Sequence, residues 1–187
     1  VPVQLAKDNR KFQFRVIRAG ARAKDYETAL DWLQAAGVIH KCVRISEGKM
    51  PLAAYADSSA FKVYMMDTGL LCSKFDIPSH AVIDTPPSFD GFKGALAENY
   101  VMQALVAGGI LPYYWSSEGK AELDFVVQDR QGNIIPVEVK SSDNVRAKSL
   151  NSYLSRYRPP YALRVSAKNF GYENGIKSVP LYAIFCL

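Results

Sequence analysis

The pattern of apolar and polar positions in the first half of the chain predicts helices followed by a two-stranded hairpin. A helix is expected from Pro2 to about Ile17, and a clearer one from Asp25 to Ala36 carries a continuous apolar stripe. Strand-like segments follow at 38–46 and 60–66, separated by residues that favour turns. This order is typical of a winged-helix domain, and we assign residues 1–76 to that class.

The second half of the chain has a different order of elements. Residues 77–93, which contain several prolines, predict a linker into a second domain of residues 94–187. The helix predicted from Gly94 to Val106 is apolar almost all round, so its carboxylate, Glu98, is expected to be buried. The elements after it are predicted to be a strand, a β-hairpin, a helix and two strands, at about 113–115, 122–142, 145–157, 161–165 and 181–185. The expected fold class is α/β (α+β), with a mixed sheet flanked by helices.

The β-hairpin of residues 122–142 carries the strongest local signal. Its turn contains Asp129, Gly132 and Asn133, which tolerate positive φ, between two runs rich in β-branched residues. A turn centred on Gln131 makes one face of the hairpin wholly apolar. The pairs expected on that face are Leu123 with Val139, Phe125 with Val137 and Val127 with Ile135.

The other face of the same hairpin brings acidic residues together. Asp124 is expected opposite Glu138, and Glu122 opposite Lys140. Opposed side chains have Cβ atoms roughly 4.5–5.5 Å apart, and like charges there destabilise a sheet unless a cation lies between them. Carboxylate oxygens are ligands for Mg²⁺, and Lys140 could orient a water molecule or offset charge on a phosphate. The alternative is a solvent-exposed face on which Glu122 and Lys140 form an ordinary cross-strand ion pair.

Composition narrows the classes of protein. With 49% hydrophobic and 22% charged residues the chain has an ordinary globular composition. No apolar run approaches the roughly 18 residues of a membrane span and no signal-peptide pattern opens the chain, so we expect a cytoplasmic protein with no membrane partner. The three cysteines lack C-x-x-C spacing and the two histidines stand alone, so neither a zinc site nor a Ser-His-Asp arrangement is indicated. Nothing in the pattern specifies an oligomeric state.

The net charge of +5 is concentrated in two segments. Residues 1–24 contain seven basic residues against one acidic residue, and residues 144–168 contain six basic residues, no acidic residue and three tyrosines. Such segments suit a polyanion, because Lys and Arg neutralise phosphates and aromatic rings stack on bases. A solvated helix face is the alternative. The candidate nucleic-acid-binding residues are Arg146, Lys148, Arg156 and Arg158.

These residues together resemble known families. A helix with Glu98, a strand with Asp124 and then Glu138-x-Lys140 on the next strand is the order found in PD-(D/E)XK, restriction-endonuclease-like nucleases. Almost the whole chain is also similar to the C-terminal region of a family of prokaryotic AAA-type ATPases, which bears a nuclease-like domain of unknown function. The segments that carry this second resemblance are QLAKDNRKF (4–12), ALDWLQAAG (29–37), FKVYMMDTGLL (61–71), GALAENYV (94–101) and ELDFVV…PVEVKSS (122–142).

The nuclease resemblance implies a site and a reaction. Asp124, Glu138 and the carbonyl of Val139 would bind Mg²⁺ or Mn²⁺, with Glu98 nearby and Lys140 acting on the attacking water. The catalytic residues implied are thus Glu98, Asp124, Glu138 and Lys140, and the implied reaction is phosphodiester hydrolysis of nucleic acid, DNA in the first place. The alternative, from a different class, is an inactive module that binds nucleic acid or a protein partner.

The ATPase resemblance implies a partner. In that family an ATPase module with a P-loop precedes the region that this chain resembles. No G-x-x-x-x-G-K-[ST] occurs in the sequence, so we expect no ATP site in this chain itself. The expected partners are therefore nucleic acid and an N-terminal ATPase module.

Overall fold

The strands form one mixed sheet within residues 2–7, 11–20, 22–84, 86–117, 121–141 and 148–186, which the computed structural model describes. The strands are β1 (Ile39–Ile45), β2 (Ala56–Met65), β3 (Tyr113–Ser117), β4 (Ala121–Gln128), β5 (Ile134–Val139), β6 (Ala162–Ser166), β7 (Gly171–Glu173) and β8 (Ile176–Pro180). Their order across the sheet is β2-β1-β3-β4-β5-β6-β8-β7. The pairs β1–β3, β5–β6 and β6–β8 are parallel and the other neighbours are antiparallel. This is the mixed α/β architecture that the sequence predicts.

Helices lie on both faces of the sheet. The α-helices of the described residues are α1 (Pro2–Lys7), α2 (Ala23–Ala35), α3 (Thr68–Ser73), α4 (Ser79–Asp84), α5 (Asp90–Ala107) and α6 (Lys148–Tyr157). Short 3-10 helices occur at Phe14–Val16, Leu52–Tyr55, Pro87–Phe89 and Leu181–Cys186. Among the described residues, no helix combines the length and the apolar character needed to cross a membrane.

Two hydrophobic clusters hold the helices against the sheet. The larger cluster contains Val101 and Met102 of α5, and the smaller one contains Leu150 and Tyr153 of α6. Successive residues of a strand enter different clusters, as Tyr114 and Trp115 of β3 do, because side chains alternate across a strand. The α5 face and the α6 face are therefore opposite faces of one sheet.

The N-terminal strands are part of this same sheet. β1 and β2 form the antiparallel hairpin expected from the sequence, and β1 also pairs in parallel with β3 at Ile45–Trp115. The predicted division into residues 1–76 and 94–187 thus falls within a continuous sheet. Residues 77–93, predicted as a linker, contain α4 and the start of α5. The winged-helix assignment of the first segment is not confirmed by this arrangement.

The first predicted helix is shorter than expected. In place of a helix over 2–17, the described residues form α1 and then a segment around Phe12. The N–H of Phe12 donates to the carbonyl of Phe61 at 2.7 Å, and the two rings stack with centroids 5.7 Å apart. Phe12 is therefore held against β2 by a backbone hydrogen bond and a ring contact, where the sequence pattern predicted a continuous helix.

The last predicted strand is a helix in the structure. Residues 181–185 lie within the 3-10 helix Leu181–Cys186. Its neighbouring residues Ala183 and Ile184 are both buried, whereas a strand would turn them to opposite faces. The strand expected there is therefore wrong, and β7 and β8 precede this helix instead.

Candidate functional site

The β4–β5 hairpin has the predicted register near its turn. Asp129 fixes the turn, since its Oδ1 accepts hydrogen bonds from the N–H groups of Gln131 and Asn133 at 2.9 and 2.8 Å. Gly132 has φ of +85°, a conformation that other residues rarely adopt. The predicted pairs that the structure confirms are Phe125 with Val137 and Val127 with Ile135.

The regular alternation of β4 breaks at Asp124. Leu123 lies in the α6-face cluster, whereas Phe125 and Val139 lie in the α5-face cluster, so the predicted pairing of Leu123 with Val139 on one apolar face is wrong. The register of the two strands extends to Phe125–Val137. One step beyond it, Asp124 Oδ2 accepts a hydrogen bond from the N–H of Val139 at 2.7 Å. A side chain thus links the two strands where the ladder ends.

Charged side chains gather at this end of the hairpin, and we call them the carboxylate cluster. Lys62 and Lys140 each lie close enough to Glu98 and Asp124 for those carboxylates to raise the lysine pKa. The members of the cluster are Glu98 on α5, Glu122 and Asp124 on β4, Glu138 on β5, Lys140 directly after β5, and Lys62 on β2. The four predicted catalytic residues therefore lie in the same region of the fold, and Glu138 and Lys140 are in direct contact.

Glu138 is the most buried carboxylate of the cluster. It is 4% exposed, and its Oε1 lies 2.5 Å from the ammonium nitrogen of Lys140. Its Oε2 is buried and has no hydrogen-bond partner among the described residues. Burial, reinforced by the charge of Asp124, raises the pKa of Glu138 to about 7 although Lys140 opposes the shift. A further cation at Oε2 would stabilise the ionised form.

Asp124 and Glu98 are each held by a hydrogen bond. Burial raises the pKa of Asp124, while the positive charge of Lys62 and the Val139 N–H act in the opposite direction. Glu98 is half-buried, and its Oε2 accepts a hydrogen bond from the hydroxyl of Tyr64 at 3.3 Å. Burial also raises the pKa of Tyr64 well above its ordinary value, so Tyr64 stays a neutral donor.

The cross-strand ion pair between Glu122 and Lys140, which the alternative interpretation expected, does not form. Lys140 pairs with Glu138, and Glu122 pairs with Lys62 at 2.7 Å. The break at Asp124 redirects this end of β4, and the parallel pairing of β1 with β3 brings the N-terminal hairpin to the same sheet. Glu122 is therefore joined to a residue that lies 60 positions earlier in the chain.

Lys62 is the site residue that the sequence analysis missed. It is 1% exposed, and its ammonium nitrogen lies 5.3 Å from the centre of the Tyr114 ring. Burial would lower the pKa of Lys62, but Glu98, Asp124 and Glu122 together raise it, so the side chain remains a cation. The available signal was a single lysine within the apolar run Ala60–Met66.

The carboxylates fit a divalent cation in chemistry and in charge. Mg²⁺ is usually bound through one or two carboxylates and keeps several water ligands, so Asp124 and Glu138 can supply its protein ligands. Glu138 Oε2 is the unpartnered oxygen of that pair. Within the described ranges no three His, Cys, Asp or Glu side chains form a ready metal-binding group, so these two residues would carry the ion. The role expected for the Val139 carbonyl stays a prediction.

The candidate nucleic-acid-binding residues are spread along α6. Lys148 begins the helix and precedes Ser149, whose Oγ accepts a hydrogen bond from the N–H of Glu122 at 3.4 Å. This hydrogen bond places the start of α6 next to the backbone of β4. Arg156 lies eight residues further on, about 12 Å along the helix, with its guanidinium over the Tyr157 ring. Arg158 is exposed just beyond the helix, and Arg146 lies outside the described residues.

The architecture defines a mixed α/β protein with a carboxylate and lysine cluster at the end of one hairpin. Residues 93–184 match the family model of a domain of unknown function, DUF4143, and residues 1–81 match that of a second domain of unknown function, DUF8612. DUF4143 is associated with AAA-type ATPases, as the sequence resemblance implies. No curated protein and no solved structure matches the chain significantly. Lys62 comes from the first matched segment and the carboxylates come from the second.

Proposed function

We propose that this chain is a Mg²⁺- or Mn²⁺-dependent nuclease of the PD-(D/E)XK type, with a restriction-endonuclease-like arrangement around β4 and β5. One observation carries the proposal. The buried Glu138 forms an ion pair with Lys140 through its Oε1, and its Oε2, near Asp124, has no partner among the described residues. Glu98 lies close to the same groups. The substrate is nucleic acid, DNA in the first place, and the chain acts as the C-terminal part of an AAA-type ATPase.

Each residue of the cluster has a distinct task in this proposal. Asp124 and Glu138 would hold the divalent ion, which supplies Lewis-acid chemistry at a phosphate when bound. Asp124 is kept in place by the Val139 N–H, and Glu98 by the hydroxyl of Tyr64. Lys140 keeps its ammonium group at Glu138 Oε1, where it can hold an attacking water or a phosphate oxygen.

Metal binding tests this proposal before any cleavage is measured. Isothermal titration calorimetry with Mn²⁺ should give a binding isotherm for the wild type and none for Asp124→Asn or Glu138→Gln. Glu173→Gln is the matched control, because Glu173 is an exposed carboxylate on the edge strand β7. Plasmid cleavage with Mg²⁺ or Mn²⁺ should occur with the wild type and with Glu173→Gln, and should be absent with Asp124→Asn and Glu138→Gln. A wild type that binds no metal and cleaves no DNA or RNA would overturn the proposal.

The second candidate function is an interaction module that cuts nothing. Lys62 favours it, because a fully buried ammonium group already offsets the charge of Glu98, Asp124 and Glu122. In such a module the cluster is a structural ion network that joins β2 to β4, and a divalent ion is unnecessary. Metal binding separates the two candidates: the module predicts the same melting temperature in EDTA and in Mn²⁺, and the nuclease predicts a higher one in Mn²⁺.

A further inference from the structure

Arg164 lies beside Glu138 of the carboxylate cluster. It pairs in register with Glu138 in the parallel β5–β6 ladder, so the two side chains leave the same face of adjacent strands. Glu138 already forms its ion pair with Lys140. Among the described residues, no side chain accepts a hydrogen bond from the Arg164 Nε, which is buried. A buried guanidinium N–H without a partner favours a further acceptor, and an anion is the strongest acceptor for it.

A polar row extends from Glu138 through Arg164 to the edge of the sheet. Ser178 on β8 is the register neighbour of Arg164, and Gly171 on the edge strand β7 is the neighbour of Ser178. Exposure rises along this row, from buried Glu138 through half-buried Arg164 and Ser178 to exposed Gly171. A Cβ on Gly171 would meet only the Cβ of Ser178, at 3.8 Å, so the outer end of the row is open. The row therefore leads from solvent to the carboxylates.

The net negative charge of the carboxylate cluster favours a further cation beside it, at the position of Arg164. The four carboxylates of the cluster outnumber its two lysines, so without a further cation the cluster repels a polyanion. A guanidinium is always charged, and its planar fork matches two oxygens of a phosphate. The Ser178 hydroxyl can donate one more hydrogen bond to the same group. Arg164 and Ser178 thus present complementary donors next to the proposed metal ligands.

We propose that Arg164, assisted by Ser178, binds a phosphate group of the nucleic-acid strand adjacent to the carboxylate cluster. The proposal rests on the proposed function for its substrate class, a phosphodiester. Arg164 is a binding residue here, and its guanidinium contacts the strand without taking part in bond breaking. The competing role for Arg164 is that of a counter-ion that only offsets the charge of Glu138.

Binding without cleavage tests the role of Arg164. The full chain is titrated into fluorescein-labelled single-stranded and duplex DNA in EDTA, with fluorescence anisotropy as the readout. Arg164→Gln is expected to weaken binding about 10-fold or more and to reduce the dependence of log K on log salt by about one unit, as loss of one phosphate contact does. Ser178→Ala is expected to weaken it about threefold. Lys177→Gln is the matched control, since Lys177 is an exposed neighbour on the opposite face of β8.

Further arms make each outcome decisive. Arg164→Lys keeps the charge and loses the fork, so partial binding by this variant supports phosphate recognition even if Arg164→Gln folds poorly. Inorganic phosphate is tested as a competitor. If Arg164 binds free phosphate and not the DNA strand, Arg164→Gln weakens phosphate binding and leaves DNA binding unchanged, and the proposal is overturned. Unchanged DNA binding by folded Arg164→Gln overturns the Arg164 proposal alone, and no DNA binding by the wild type overturns it together with the nuclease. Arg164-dependent binding without any metal-dependent cleavage supports Arg164 and counts against the nuclease.

Discussion

The ammonium nitrogen of Lys62 lies 2.7 Å from a carboxylate oxygen of Glu122, and this ion pair joins β2 to β4 although β1 and β3 lie between them in the sheet. The side chain of Lys62 passes over the Tyr114 ring of β3 on its way. The contact links the segment that matches DUF8612 to the segment that matches DUF4143. The loss of stability on breaking this ion pair therefore measures how much the fold depends on the contact between the two segments.

Lys62→Met should destabilise the chain by about 2–3 kcal/mol, measured by chemical denaturation. Removing one partner of a fully buried pair costs about 3–5 kcal/mol, and the smaller value applies here because the Glu122 side chain is 37% exposed. The double variant with Glu122→Gln should recover part of the loss. Lys41→Met is the control: its partner Asp31 is 64% exposed, so its loss should cost at most about 1 kcal/mol. Equal losses for Lys62→Met and Lys41→Met would show that the cluster is not an interior network.

The pKa of Glu138 predicts how stability depends on pH in the absence of metal. Its pKa is about 7 in the folded chain against an ordinary value of 4.5, so the unfolded chain loses this proton first as pH rises. The free energy of unfolding in EDTA should therefore be highest below about pH 4.5 as far as Glu138 is concerned, and should fall by about 3 kcal/mol up to pH 8.

Glu138→Gln isolates this contribution, because a glutamine cannot titrate. Denaturation at several pH values should show a shallower decline for the variant than for the wild type. Saturating Mn²⁺ should also flatten the wild-type curve, since a bound cation stabilises the ionised carboxylate. Parallel curves for wild type and variant would mean that folding does not raise the pKa of Glu138.

Asn99 should be needed to keep α5, and with it Glu98, against β2. Asn99 is fully buried; its Oδ1 accepts from the Met65 N–H at 2.8 Å and its Nδ2 donates to the Met65 carbonyl at 3.1 Å. Asn99→Ala leaves two buried backbone groups without these partners, which should cost about 2–4 kcal/mol in denaturation. Asn151→Ala, at an exposed position of α6, should change stability by less than about 0.5 kcal/mol. Similar effects of the two variants would argue against the anchoring role.

Local patterns in the sequence predict the elements that depend on local physics. The α2 helix was recognisable from its apolar stripe and from Gly37, which has φ of +68° at its end. The register of the hairpin followed from its turn, because Asp129 and Gly132 fix where the chain reverses. The apolar helix around Glu98 indicated that this carboxylate needs a partner, and the resemblance to the PD-(D/E)XK nucleases implied its place near the site.

The errors arise where distant segments meet. Lys62 joins the site only because β1 pairs with β3, a contact between residues about 70 positions apart that no local pattern encodes. The break of β4 at Asp124 likewise depends on a side-chain hydrogen bond to Val139 that competes with the ladder. Arg164 was visible as part of a basic stretch, but its position next to Glu138 required the parallel pairing of β5 with β6.

Lys140→Met separates a catalytic lysine from a lysine that only neutralises Glu138. In the nuclease proposal this variant should still bind Mn²⁺ and DNA within about threefold of the wild type, yet cleave at least about 10²-fold more slowly, the scale of losing one transition-state contact. Single-turnover cleavage with saturating Mn²⁺ measures the step directly. Lys177→Met is the matched control, because its ammonium group packs over the Tyr161 ring away from the carboxylates.

The two roles of Lys140 also differ in their effect on Glu138. Loss of a pure counter-ion removes one of the charges that hold down the pKa of Glu138, so metal affinity and cleavage should fall together. Raising the Mn²⁺ concentration would then restore cleavage by Lys140→Met, whereas a lysine that contacts the water or the phosphate cannot be replaced in this way. Cleavage that returns to the wild-type rate at high Mn²⁺ would therefore assign Lys140 to the support of Glu138 and remove it from the catalytic residues.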